Sequence, residues 1–139
     1  MLQGGMLRTT LPANDLARAR AFYAEKLGLK VVQETPDGGL VFEVGGDHAA
    51  KPGWSSRATF LVFPTTNPNR GGHTQMGFHV DDVEREVADL KRRGVVFEEY
   101  DLPGLKTLDS IASIADGKGR AAWFKDSEGN IIGLVSLPF

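Results

Sequence analysis

A strand predicted at residues 75–80 carries the side chains best suited to chemistry. Its sequence, Q-M-G-F-H-V, puts Gln75, Gly77 and His79 on one face, and His73 precedes them on that face. Imidazole and amide groups bind metal ions and exchange hydrogen bonds. His73 and His79 are six residues apart, about 20 Å along an extended strand, which is too far for both to hold one ion. The alternative for His79 is an exposed or hydrogen-bonded histidine without a ligand.

No other catalytic motif stands out. The chain has no cysteine, which excludes disulfides, thiolate metal sites and a cysteine nucleophile. It also lacks a glycine-rich phosphate-binding loop, a G-x-S-x-G elbow and an H-E-x-x-H pair. Glu98, Glu99 and Asp101 cluster, but strand alternation places Glu98 and Glu99 on opposite faces. A paired acid and base therefore has little support.

The composition is that of an ordinary globular protein. With 139 residues, 41% hydrophobic and 24% charged, we expect one domain spanning 1–139. A net charge of -2 argues against nucleic-acid and membrane partners. No apolar run approaches the ~20 residues that cross a bilayer, and the start lacks signal-peptide features. We therefore expect a cytoplasmic protein whose residues 1–5 form a disordered tail.

The elements that position these side chains occur twice along the chain. Strands are predicted at residues 7–13 and 75–80, and each is followed by residues that can cap a helix, Asn14 or Asp15 in the first half and Asp81 or Asp82 in the second. The two helices are predicted at residues 16–27 and 83–93. The remaining strands are predicted at residues 29–34, 40–44, 57–63, 95–100, 121–125 and 131–137. Each half therefore contains one strand, one helix and three further strands.

Alignment of the two acidic caps supports a duplication. Placing Asp15 over Asp82 sets Arg8 over Gln75, and the helix-ending glycines fall within one residue of register. We interpret the chain as an α+β protein of two modules, residues 6–64 and 73–139, joined by a linker at 65–72. Residues 101–120 form a long connection, predicted either to cover a binding site as a lid or to seal an exposed sheet end. The loop at 45–56 carries His48 and Trp54, and residues 126–130 are a predicted hairpin turn.

Four stretches of the chain resemble the vicinal oxygen chelate superfamily, which includes glyoxalase I, extradiol dioxygenases and bleomycin resistance proteins. They are L-P-A-N-D-L-A-R-A-R-A-F-Y-A-E-K-L-G-L at 11–29, F-H-V-D-D-V at 78–83, R-G-V-V-F-E-E-Y at 93–100 and W-F-K-D-S-E-G-N-I-I at 123–132. The resemblance implies two βαβββ modules that form a curled mixed sheet enclosing a cup-shaped cavity. It also implies a homodimer.

The resemblance further implies where a metal ion would bind. Metal enzymes of the superfamily place His, Glu or Gln ligands on the first and last strands of each module. The matching positions here are Arg8, Gln75 and Gly133, with Phe60 as the counterpart in the first module. A guanidinium, a glycine and a phenyl ring cannot ligate a metal ion, so only the amide of Gln75 remains. We therefore expect no metal and no other cofactor.

The same alternation predicts which side chains line the cup. The ligand-binding candidates are Arg8, Thr10, Phe60, Gln75, His79, Tyr100 and Trp123. Arg8 would favour a carboxylate or phosphate, with a salt bridge to a nearby acidic residue as the alternative. For Trp123 the alternative is simple core packing.

The leading prediction is a glyoxalase-like or bleomycin-resistance-like protein that binds a small organic molecule without the usual metal. The alternative is a metal-dependent lyase, isomerase or dioxygenase that holds a divalent ion at an atypical site of Gln75, His79 and Glu43. A third alternative is an interaction domain whose cup is filled by its own side chains.

Overall fold

The computed structural model describes residues 2–4, 6, 8–46, 51–66 and 72–138. His48 and most of the predicted linker lie outside the described residues. The first module consists of β1 (Thr9–Ala13), α1 (Leu16–Ala21, continued by a π-helical turn at Phe22–Lys26), β2 (Lys30–Glu34), β3 (Leu40–Gly45) and β4 (Arg57–Pro64). The second consists of β5 (Thr74–His79), α2 (Val83–Arg92), β6 (Asp101–Leu102), β7 (Leu105–Leu108), β8 (Ile111–Ile114), β9 (Gly119–Lys125) and β10 (Ile131–Ser136). Leu2–Gly4 forms one 3-10 turn within the predicted tail.

The helix caps confirm the alignment of the two halves. The Asp15 carboxylate accepts a hydrogen bond from the Arg18 N–H at 3.0 Å, and Asp82 does the same for Arg85 at 3.0 Å. Both caps satisfy a backbone donor that a helix start would otherwise leave unpaired. Gly28 and Gly94 follow the two helices with φ of 70° and 89°, a left-handed conformation that glycine adopts at little cost. The predicted boundaries of both helices are therefore set by matching residues.

The strand order supports the same duplication. The first sheet has the order β1-β4-β3-β2, and the second has the order β5-β10-β9-β8-β7-β6. In each sheet the first strand of the module runs parallel to its last strand, while the other pairs are antiparallel. The predicted α+β class and the repeated modules are confirmed. The strands form two separate sheets rather than one continuous curled sheet.

One hydrophobic core joins the two modules. Tyr23, from the turn that continues α1, contacts Phe42 and Phe60 of its own sheet, with ring centroids 5.2 and 5.3 Å apart. Its neighbour Phe22 contacts Phe124 of β9 at 6.3 Å. The apolar side of α2 contributes to the same cluster. We call the faces of the sheets that pack in this core the inner faces, and the opposite faces the outer faces.

The turn between β9 and β10 fastens the second module to the first. The Tyr23 hydroxyl, fully buried, donates to Asp126 Oδ2 at 2.5 Å, and the Asn130 amide donates to the Pro12 carbonyl at 3.0 Å. Burial raises the pKa of Tyr23 and the nearby carboxylate raises it further, so the phenol stays protonated and donates. The sequence predicts this segment only as a hairpin turn, because the partners are more than 100 residues away along the chain.

Glu128 in the same turn contacts the start of α1. Its carboxylate accepts hydrogen bonds from the Asn14 and Asp15 N–H groups at 2.8 and 2.9 Å, and from Arg18 Nε at 2.7 Å. Burial of the side chain opposes ionisation, yet the hydrogen bonds from Arg18, the Asp15 N–H and Ser127 outweigh it and lower the pKa of Glu128 to about 2. An anion at this helix start also interacts favourably with the helix dipole.

We expect Glu128→Gln to reduce the free energy of unfolding by about 2 kcal/mol at pH 7, and by less in acid. The folded-state pKa of about 2 lies below the ordinary 4.5. The ionised carboxylate therefore stabilises the protein fully above pH 4.5, and this contribution is lost as the pH falls towards 2. Urea unfolding of both proteins at several pH values measures the difference. A gap between them that stays constant down to pH 3 would contradict the assignment.

Two predicted segments in the second module differ from the structure. Residues 95–100 are predicted to be a strand, but their pairing with β9 is limited to one bridge, Phe97 to Phe124, and a hydrogen bond from the Glu98 N–H to the Trp123 carbonyl. β8 pairs with β9 only as far as Ala121, so this segment covers the edge of β9 that β8 leaves open.

The long connection predicted at 101–120 is a meander of short strands that widens the sheet. The turn between β7 and β8 uses left-handed conformations at residues other than glycine, with φ of 50° and 75° at Asp109 and Ser110. Tight hairpin turns require these angles, and glycine or asparagine is their usual sequence signal. Because Asp-Ser is a weak signal for such a turn, the sequence does not predict this hairpin.

Among the described residues, no helix is long and apolar enough to cross a membrane.

Candidate functional site

The strand register shows which of the predicted side chains share a face. Thr10 pairs with Leu61 across β1 and β4, while Phe60 pairs with Thr9 and with Phe42. Phe60 therefore lies on the inner face, 2% exposed, against Tyr23. The sequence predicts that Phe60 lies on the same face as Thr10. That register is wrong by one residue, and a one-residue shift moves a side chain to the opposite face.

The corrected register also changes the position that matches Gly133. Gly133 pairs with Gly77, which aligns with Thr10, and Thr10 pairs with Leu61. The first-module counterpart of Gly133 is thus Leu61 rather than Phe60. Leucine, like phenylalanine, has no donor atom for a metal ion. The four positions at which the superfamily resemblance places metal ligands hold Arg8, Gln75, Leu61 and Gly133.

These four residues do not fit a divalent ion. A cation and two side chains without donor atoms leave one neutral amide, which is far from the three or four ligands that such an ion requires. Within the described residues, no three His, Asp or Glu side chains come together in a group that could hold a metal ion. Glu43, part of the atypical alternative, does not line the cleft that contains Gln75 and His79.

A cleft of about 910 Å³ lies between the modules. We call it the intermodule cleft. Its walls are β1, β3 and β4 of the first module, the loop at 51–56, and β5 with the start of α2 in the second. Of the predicted ligand-binding residues, Gln75, His79 and Phe60 contribute to it. Phe60 is almost fully buried and offers little surface to a ligand. The predicted residues that do offer side chains to the cleft are Gln75 and His79, and both are polar.

His79 is held at one end of this cleft. Its Nε2 lies 3.3 Å from both the N–H and the carbonyl oxygen of Leu137, so a neutral ring either accepts from the first or donates to the second. Its ring also meets Trp54 in a T-shaped contact, with centroids 5.5 Å apart. The structure therefore agrees with the alternative in which His79 is a hydrogen-bonded histidine.

The remaining predicted residues lie outside the intermodule cleft. Tyr100 and Trp123 make a T-shaped contact on the second module, with centroids 5.6 Å apart. Trp123 pairs with Gly133 and shares its outer face, so it does not pack in the core. Thr10 and the preceding Arg8 are exposed on the first module. Arg8 forms no ion pair within 4.0 Å with any described residue, so the salt-bridge alternative is not observed.

Residues of the cleft that sequence reasoning missed come from a loop and from α2. Trp54 packs against β5, and Arg85 and Glu86 line the cleft from the first turn of α2. The signal for Trp54 was a large aromatic residue in a glycine-bearing loop, where no core position demands it. Arg85 and Glu86 belong to a charged run that the sequence predicts only as the solvated face of a helix.

Comparison with known proteins supports the architecture. The profile of the Glyoxalase/Bleomycin resistance protein/Dioxygenase superfamily matches residues 5–134. No match was found among curated proteins. Lactoylglutathione lyase from Agrobacterium tumefaciens is 21% identical, with a TM-score of 0.61 over 96% of this chain and 93% of that one.

Two further solved structures are similar. The fosfomycin resistance protein FosX from Listeria monocytogenes is 16% identical, with a TM-score of 0.65 over 96% of this chain and 93% of its own. A putative glyoxalase family protein from Bacillus anthracis is 17% identical, with a TM-score of 0.67 over 96% and 94%. At these identities the structural likeness shows the fold alone. With the profile covering residues 5–134, the chain belongs to the Glyoxalase/Bleomycin resistance protein/Dioxygenase superfamily.

Proposed function

We propose that this protein binds a small organic molecule in the intermodule cleft, without the divalent ion of the family's metal enzymes. The observation that carries the proposal is the cleft itself. Its volume of about 910 Å³ falls within the roughly 300–1,000 Å³ typical of small-molecule pockets. Its walls combine apolar residues with a few polar groups, among them Gln75 and His79, which is the usual composition of a site that fixes a ligand's orientation.

The donor set supports binding without a metal. Arg8, Leu61 and Gly133 offer no ligating atom at three of the four positions considered. His79 already uses its Nε2 at Leu137, so a metal at that atom would have to displace this contact. The family membership leaves both binding proteins and enzymes open, and these residue types favour the first.

The polar groups in the cleft suggest how a ligand is oriented. Gln75 carries both a donor and an acceptor, and its side chain is half-buried at the edge strand β5. Lys51, whose backbone bridges to that of Trp54 in the loop, also lines the cleft and donates to the Leu137 carbonyl at 3.4 Å. A ligand with one amide-like or hydroxyl group can meet Gln75 while its apolar part contacts the walls.

We expect Gln75→Ala to weaken ligand binding about fivefold to tenfold, because one hydrogen bond to the ligand is lost. A thermal-shift screen of a small-molecule library on the metal-free protein identifies ligands, and isothermal titration calorimetry measures their affinity. The matched control is Glu43→Ala, which removes a polar side chain of β3 outside the cleft. Its affinity should equal that of the wild type.

These two variants, together with His79→Ala, test the metal-dependent alternative. Elemental analysis after purification, followed by calorimetric titration with Mn²⁺, Ni²⁺ and Zn²⁺, tests for a bound ion. Stoichiometric, tight binding of one ion that Gln75→Ala, His79→Ala and Glu43→Ala all weaken would overturn the proposal and favour an enzyme with the atypical site. The predicted homodimer stays a prediction, which light scattering during size-exclusion chromatography measures.

A further inference from the structure

The outer face of the second sheet contains two paired glycines. Gly77 of β5 and Gly133 of β10 are register partners, so the centre of this face has no side chains of its own. A Cβ placed on Gly77 would lie 3.7 Å from the benzo ring of Trp54, and one on Gly133 would lie 3.4 Å from Nε1 of Trp123. Two indole rings thus lie directly on adjacent strand backbones. We call Trp54, Trp123 and the two glycines the tryptophan floor.

Neighbouring rings hold both indoles in place. Tyr100 meets Trp123 with an interplanar angle of 79°, and His79 meets Trp54 with one of 74°. Such T-shaped contacts are a preferred geometry of aromatic pairs and fix ring orientation. All four rings are only half-buried, so part of each aromatic surface stays open to solvent. Exposed, pre-oriented rings bind flat ligands at little cost in side-chain entropy.

Trp123 also offers a hydrogen-bond donor. Its Nε1 forms no hydrogen bond with any other described residue. Every buried polar side-chain atom among the described residues has a partner, so an unpartnered Nε1 is not a buried atom. The indole N–H is therefore open to solvent on the tryptophan floor. Because indole only donates, its partner on a ligand must be an acceptor.

The two cationic side chains next to the floor differ in their partners. Lys125 follows Trp123 by two residues and contacts the Glu98 carboxylate at 3.6 Å, while Lys51, beside Trp54, donates to the neutral Leu137 carbonyl and keeps its charge. The positive charge is therefore compensated at the Trp123 end of the floor. At that end the aromatic surface and the indole N–H determine which ligand fits.

We propose that the tryptophan floor binds a planar aromatic ring system that carries a hydrogen-bond acceptor directed at Trp123 Nε1. The floor continues from the intermodule cleft, with which it shares Trp54 and Gly77. This inference rests on the proposed small-molecule binding and specifies the class of ligand. The ring stacks on the indoles, and its acceptor selects one orientation.

Three probes test the two parts of this inference on the unaltered protein. Quinoline is planar with a ring-nitrogen acceptor, naphthalene is planar without one, and decahydro-1-naphthol has an acceptor but is not planar. The two tryptophans give two indole N–H resonances in a ¹H–¹⁵N spectrum. We expect quinoline to shift both resonances in a saturable way and to bind at least fivefold more tightly than naphthalene. Decahydro-1-naphthol should bind at least tenfold more weakly than quinoline.

Variants locate the site. Trp123→Leu should weaken quinoline binding about tenfold, and Trp123→Phe, which keeps a ring but removes the donor, about fivefold. Gly133→Ala should weaken it about threefold, because the new methyl group comes within 3.3–3.5 Å of Thr74 and Trp123 and tilts the indole. Leu108→Ala, which removes an exposed apolar side chain elsewhere, serves as the control with unchanged affinity. Urea unfolding checks that each variant folds.

The outcomes separate this inference from the proposed function. Equal binding of decahydro-1-naphthol and quinoline would overturn the aromatic inference while leaving small-molecule binding intact. Quinoline binding that Trp123→Leu does not weaken would overturn the location. Failure of all three probes, together with an empty library screen, would overturn both proposals. Indole resonances that shift on concentrating the protein alone would show that a second copy covers the floor, and would also overturn the inference.

Discussion

Asp126→Ala is expected to lower the free energy of unfolding by about 4 kcal/mol, because it removes the acceptor that joins the two modules. The carboxylate of Asp126, itself only 6% exposed, accepts from the Tyr23 hydroxyl, from the Asn130 N–H at 2.8 Å and from the Asn130 side-chain amide at 2.7 Å. Tyr23 and Asn130 are fully buried. Without the carboxylate their donors stay buried with a partner lost, and each such group costs roughly 1–3 kcal/mol.

Urea unfolding measures this loss, and two variants isolate its origin. Tyr23→Phe removes one donor and leaves Asp126 its other partners, so it should cost only about 1–2 kcal/mol. The double variant should lose less unfolding free energy than the sum of the two single losses, since both substitutions delete the same hydrogen bond. Asp101→Ala, an exposed aspartate on β6, should change stability by no more than about 0.5 kcal/mol. An Asp126→Ala variant as stable as Asp101→Ala would contradict the role of the turn.

Phe60→Ala is also expected to cost about 4 kcal/mol of unfolding free energy. The ring of Phe60 stacks on Phe42 with centroids 5.4 Å apart and meets Tyr23 at 5.3 Å. Its removal creates a cavity in the core that the surrounding sheet and helix cannot close without moving. Had Phe60 faced outward, as the sequence predicts, its loss would affect ligand binding more than stability.

Leu61→Ala is the matched control for this experiment. Leu61 is the next residue of the same strand, and its half-buried side chain points to the outer face. Its truncation should cost about 1–2 kcal/mol, since less apolar surface leaves water and no closed cavity forms. Chemical denaturation of the two variants side by side gives the comparison. A Leu61→Ala variant that is the less stable of the two would contradict the register.

The sequence predicted the elements whose signals are local. Asp15 and Asp82 cap helices, and glycines end them, because the chemistry of a helix end is satisfied within a few residues. In both sheets the first strand of the module lies beside its last strand, which is consistent with two copies of one unit. Prediction failed where pairing depends on distant partners. The segment at residue 97 joins β9 only because β8 ends early, and nothing near it in the chain reveals that.

In the candidate site, too, features set by local sequence were predicted and features set by distant pairing were not. Alternation along β5 predicts Gln75 and His79 on one face, and both residues line the intermodule cleft together with Met76 and Phe78 between them. The predicted bounds of β4 are close to the observed Arg57–Pro64, yet the predicted face of Phe60 was wrong, because the register of β4 is set by its pairing with β1 and β3 rather than by local sequence. The cytoplasmic location and the homodimer stay predictions.

The sequence by itself determined the repeated modules, the helix boundaries and the residue types that leave three of four metal positions without a donor atom. These depend on residue identity and on short-range spacing. Only the tertiary structure decided that Trp54 and Trp123 lie on the paired glycines, that the turn at Asp126 fastens one module to the other, and that Phe60 packs inward. Each of these is a contact between residues far apart in the chain, and such contacts are set by sheet register and packing rather than by local pattern.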